Sequence, residues 1–114
     1  MTGNVKRFLN KVGLPHFNID DTLEVNEPYI IVTNTIGFGD APKEVIDFIE
    51  HHLDFLVGVA ASGNTNWLNN YAHAADVISE KYNVPIIYKF ELGGSSQDTE
   101  NFRRAVKVIG EMLH

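Results

Sequence analysis

An α/β fold built on a parallel sheet is what this sequence predicts, on two observations. Short runs rich in β-branched and apolar residues alternate along the chain with segments whose apolar residues recur at helical spacing. One of those runs, FLVGVAAS (Phe55–Ser62), is almost wholly apolar, as a strand covered on both faces must be. The 114 residues suit a single domain over 1–114, large enough to bury a core without staples.

The elements follow in order. Val5, Phe8, Leu9 and Val12 fall on one face of a helix, which Gly13 and Pro15 stop. HFNID (His16–Asp20) reads as a weak short strand, and PYIIVT (Pro28–Thr33) as a buried one. The turn-rich stretch NTIGFGDAP then leads into a helix with Asp40 near its start and Val45, Phe48 and Ile49 on its apolar stripe. After Phe55–Ser62 and the turn GNTN comes a helix with Trp67, Tyr71, Ala74, Ala75 and Ile78 on one stripe. VPIIYKFE (Val84–Glu91) is a further strand, and Pro85 marks it as an edge or a strand start. Beyond LGGSSQD, a last helix carries Phe102, Ala105, Val106 and Ile109. No repeat, low-complexity segment or second domain interrupts the pattern.

Composition narrows the function. At 44% hydrophobic and 21% charged residues, the chain is ordinary for a soluble globular protein. A net charge of -6 argues against nucleic acid, whose phosphates need a basic face. No apolar run is long enough to span a membrane and no signal pattern opens the chain, so the simplest compartment is the cytosol. With no Cys, redox chemistry would have to come from a cofactor. His16, His51, His52, His73 and His114 lack metal-ligand spacing, so any metal should belong to a partner. Asp20, Asp21 and Glu24 read as a solvated turn, and no catalytic side chain stands out. Glu44, Asp47, Glu50 and Asp54 form an acidic helix face, either simply solvated or a docking surface.

Three loops leave the carboxyl edge of the expected sheet, where open α/β folds bind ligands. TGN (Thr2–Asn4) opens a helix, whose free N–H groups and dipole attract an anion. TIGFG (Thr35–Gly39) can reverse a peptide plane at its glycines. SGNTNW (Ser62–Trp67) pairs a small entrance with a flat ring. Singly, these are an ordinary helix start, an ordinary turn and ordinary core packing. Together on one edge they describe a site for a mononucleotide that carries a planar heterocycle.

T-G-N at the first helix resembles the phosphate loop of flavodoxins. The runs VGVAASGNTNW and ISEKYNVPIIYKFELGG resemble the NrdI family of small flavodoxin-like proteins, over essentially the whole chain. The resemblance implies a doubly wound parallel sheet of order 2-1-3-4-5 with helices on both faces, and bound FMN. It also implies a partnership with class Ib ribonucleotide reductase. Reduced flavin would convert O2 to superoxide or a peroxide-level oxidant for the dimanganese site of the reductase's small subunit, where a tyrosyl radical forms. An electron-supplying reductase is implied too, without being identified. Carried over, Thr2, Gly3 and Asn4 would hold the FMN phosphate, and Thr35, Ile36, Gly37, Phe38 and Gly39 the redox edge of the flavin. Ser62, Gly63, Asn64 and Trp67 would cover the other side of the ring. In ELGGSSQD, Gly93 stands where the family often has Ser, removing that hydroxyl.

Family members place a short apolar strand before T-G-N, whereas here T-G-N follows Met1 directly. The expectation is therefore a sheet without its central first strand. Two other readings accompany the activator role: a general flavodoxin carrying single electrons, and a cofactor-free interaction domain.

Overall fold

The structure is a computed structural model that describes residues 3–14, 16–17, 19, 23–35, 41–63 and 72–112. Four helices and three strands are seen among them: α1 (Gly3–Val12), β1 (Tyr29–Asn34), α2 (Lys43–His51), β2 (Leu56–Gly63), α3 (His73–Tyr82), β3 (Ile86–Glu91) and α4 (Ser96–Met112). A single 3-10 turn, Leu53–Phe55, leads into β2.

The strands form one parallel sheet in the order β1-β2-β3. Asn34 lies opposite Ser62 and Gly63 opposite Glu91, so the three carboxyl ends finish nearly level. Crossovers β1–α2–β2 and β2–α3–β3 advance in one direction and place both helices on one face. There Val45, Phe48, Ile49, Ala74, Ala75 and Ile78 pack on Ile31, Val59 and Ala61. On the other face Val5, Phe8, Leu9 and Val12 of α1 join Phe102 of α4 over Ala60 and Phe90. Ala60 and Ala61 therefore serve opposite cores, which is the period-2 alternation of a strand buried on both sides. Phe8 stacks on Phe90 at 3.8 Å between ring centroids and meets Phe102 edge-on at 5.3 Å.

Two sequence expectations fail here. Within His16–Asp20, His16, Phe17 and Ile19 are irregular, while Asn18 and Asp20 lie outside the described residues. Phe17 is 72% exposed. Only Ile19 packs on the core, and with Asn and Asp disfavouring extended pairing the segment has little to hold it as a strand. The helix expected to carry Trp67, Tyr71 and Ile78 on one stripe also does not run through. Ala72 is left-handed, at φ 49°, and α3 begins only at His73. Trp67 and Tyr71, like Asp40 and Pro15, lie outside the described residues. Strand ends shift by a residue or two: Pro85 precedes β3, and Phe55 belongs to the turn before β2.

Candidate functional site

The carboxyl end of β2 ties together four parts of the chain. Thr35 N–H donates to the Ser62 carbonyl at 3.0 Å, and the Thr35 hydroxyl oxygen accepts from Ala74 N–H in the first turn of α3 at 3.2 Å. Leu92 N–H donates to the Gly63 carbonyl at 2.9 Å, and Ser62 Oγ donates to the Leu92 carbonyl at 2.7 Å. Ser62 is 3% exposed. A buried hydroxyl without a partner would cost about 1–3 kcal/mol, so this bond is a structural clasp. The serine expected at a ligand thus has its proton committed to the chain itself.

Gly63 is required by closeness. A Cβ there would stand 2.2 Å from the backbone nitrogen of Ala72. Chain therefore leaves β2 and returns to α3 through one narrow point, with left-handed Ala72 making the turn. On the other side, Leu92 (φ 52°) and Gly94 (φ 74°) turn the chain off β3. Lys11 Nζ secures that turn by donating to the carbonyls of Gly93 at 3.3 Å and Gly94 at 2.9 Å.

Two helices begin at this edge on the same face. Phe8 is level with Gly94, while Arg103, further down α4, donates from Nε to the Val12 carbonyl at 2.7 Å and from Nη2 to the Lys11 carbonyl at 2.8 Å. Both helices therefore descend side by side from the site edge. Their N-termini differ in charge. α4 carries its own anion: Asp98 accepts from Ser95 N–H at 2.8 Å, and Ser95 Oγ accepts from Asp98 N–H at 3.1 Å, a reciprocal cap. Burial pushes the Asp98 carboxyl up, but bonds from Ser95 and Tyr88 and the charge of Lys11 leave it below its usual range. α1 has no acidic residue in its first turn. A helix start without its own carboxylate favours an external anion through its N–H groups and dipole.

A second polar cluster fixes α3 to β3. Lys89 Nζ donates to Asp76 Oδ2 at 2.7 Å, and His73 Nδ1 lies 3.1 Å from the same oxygen. Desolvation raises the Asp76 carboxyl, yet Lys89 and His73 outweigh it and hold the group below its ordinary value.

Among the residues proposed from sequence, the structure thus gathers Gly3, Asn4, Thr35, Ser62 and Gly63 at one edge. Thr2, Ile36, Gly37, Phe38, Gly39, Asn64 and Trp67 lie outside the described residues. Leu92, Gly94, Ala72 and Lys11 also build this edge and were not among the expected site residues. ELGGSSQD held the readable signal: a Gly pair at a strand end, then S-x-x-D as a helix cap.

A family model described as "NrdI Flavodoxin like" matches residues 1–104. The chain belongs to the NrdI family. It is 49% identical over 112 residues to "Protein NrdI" of Macrococcus caseolyticus, covering 97% of this chain and 87% of that relative. Membership in the NrdI family agrees with the flavodoxin-like α/β fold, with its parallel sheet and flanking helices. No described helix is long and apolar enough to cross a membrane. Among the described residues no group of three or more His, Asp and Glu side chains is placed to hold a metal ion.

Proposed function

We propose that this NrdI-family chain is one cytoplasmic flavodoxin-like domain that binds FMN at the carboxyl edge of its sheet and activates class Ib ribonucleotide reductase. The carrying observation is the contrast between the two helix starts at that edge. α4 is capped by its own carboxylate, whereas the first turn of α1 carries none, so a phosphate is favoured at α1 and disfavoured at α4. The rest of the edge fits a flat group beside that phosphate. Thr35, Ser62 and Leu92 are fastened to one another and present backbone in place of bulky polar side chains.

In this reading Thr2, Gly3 and Asn4 hold the phosphate, Thr35–Gly39 borders the redox edge, and Ser62, Gly63, Asn64 and Trp67 cover the ring. Ser62 acts there by holding Leu92, leaving its oxygen free only to accept. When bound, FMN would supply flavin redox chemistry, with O2 reduced to a superoxide- or peroxide-level oxidant for the dimanganese–tyrosyl radical cofactor of the reductase small subunit. The protein's own contribution is to bind, orient and limit water access. The sheet itself is proposed to follow the 2-1-3-4-5 order, with β1, β2 and β3 as its third, fourth and fifth strands and two further strands continuing it beside β1.

Gly3→Val tests the phosphate position. A β-branched side chain at the helix start should obstruct backbone approach and weaken FMN about tenfold or more, read by quenching of flavin fluorescence. Unchanged affinity would remove α1 from the site. Co-purification of the FMN-loaded chain with the reductase small subunit, set against a general electron-transfer partner, tests the activator role.

A further inference from the structure

The opposite end of the sheet carries a feature that flavin binding does not use. A groove of about 990 Å³ opens between the segment leading to β1 and the outer side of α2. Its rim includes five carboxylates: Glu24, Glu44, Asp47, Glu50 and Asp54. No Lys or Arg is among the described residues that line it. The floor is apolar, formed by Ile19, Phe48, Leu53 and Phe55, and Leu53 is 44% exposed. The walls are braced: Glu50 accepts from the Tyr82 hydroxyl at 3.0 Å, and the His52 ring stacks on Phe48 at 4.2 Å.

We propose that this groove docks a cationic polypeptide segment that presents Lys or Arg side chains around an apolar anchor. Charge selects the occupant. Five carboxylates repel nucleic acid and anionic lipid surfaces, and a second copy of the chain brings the same net charge of -6. The exposed Leu53 beside half-buried Phe55 selects an apolar residue at the centre, where water is displaced, with the charges at the rim. The groove adjoins Phe55, just before β2, whereas the candidate flavin edge lies past Gly63. The eight residues of β2 separate the Leu53–Phe55 end of the groove from that edge by roughly 26 Å, so a segment anchored there leaves the edge free.

The test is a titration of a fluorescently labelled synthetic peptide of Lys and Leu at helical spacing, followed by anisotropy, with no flavin readout involved. Saturable binding is expected. The triple change Glu44→Gln, Asp47→Asn, Asp54→Asn should weaken it about tenfold, and Leu53→Ser should weaken it as well. Removing equal charge elsewhere, by Glu80→Gln, Glu100→Gln and Glu111→Gln, should have a much smaller effect. The proposal is overturned if the two triple variants lose affinity equally, since net charge alone would then explain the binding. It is equally overturned if replacing Leu by Ser in the peptide changes nothing, or if no binding is seen.

Discussion

Leu92 occupies a left-handed conformation that most side chains avoid, and is 46% exposed at the same time. Its backbone has no freedom to relax, because both its N–H and its carbonyl are bonded to the end of β2. A left-handed L-residue costs about 1–2 kcal/mol, part of which glycine would give back as extra freedom in the unfolded chain. Leu92→Gly should therefore raise stability by roughly 0.5–1 kcal/mol, seen as a higher urea midpoint. A lower midpoint would mean that the Leu92 side chain contributes more packing than its backbone costs. Asp76 offers a pH test at the same scale. Its carboxyl is held below the ordinary value in the folded chain. Its contribution is thus fully present above the unfolded pKa of about 3.9 and is lost as pH falls through the folded one. Asp76→Asn should flatten the acid limb of a stability–pH curve while leaving its shape near neutrality unchanged. An identical acid limb would show that Lys89 and His73 exert no differential hold.

At the scale of elements, the decisive relation is between the end of β2 and the start of α3. Gly63 and Ala72 nearly touch, and Ala74 N–H is bonded to Thr35. Gly63→Ala forces a methyl group onto backbone that cannot rotate aside, so Ala72 and the start of α3 must move away from β2. The expected loss is about 1–3 kcal/mol, the usual range for overpacking, with FMN affinity falling in parallel. Retention of both would show that the neck is wider in solution. Gly58 makes a useful contrast: a Cβ there would meet Cδ1 and Cγ1 of Ile87 at 2.6 Å, a side chain that can shift more than backbone can, so Gly58→Ala should cost less than Gly63→Ala. Helix caps were partly readable at this scale. S-x-x-D at Ser95–Asp98 is a local pattern and forms as such, whereas nothing local marks Ala72 as a helix break, because close approach to Gly63 imposes it.

For the whole molecule, the feature that bears most on stability is the outer edge of β1. Among the described residues β1 pairs only with β2, although Ile31 and Thr33 in it are buried. Unpaired strand groups near a core cost stability, and a further parallel strand would satisfy them. Extending the chain at its N-terminus with an apolar strand ending in Ser should raise the melting temperature by several degrees and strengthen FMN binding. If the 114-residue chain already melts cooperatively as a monomer and holds FMN as tightly as the extended one, the 2-1-3-4-5 order is wrong for it.

What the sequence by itself determined is everything that depends on repetition along the chain. Val5, Phe8, Leu9 and Val12 had to share a helix face, and Val59, Ala60 and Ala61 had to be covered from both sides, since burial follows the period of the local backbone. What only the tertiary structure decided is which distant groups meet. Ser62 finds Leu92 30 positions away, and Arg103 finds Val12 across 91, because sheet register and helix packing set those distances. The same cause removed the strand expected at His16–Asp20: its local pattern was weak, and a strand persists only where a neighbour accepts its hydrogen bonds.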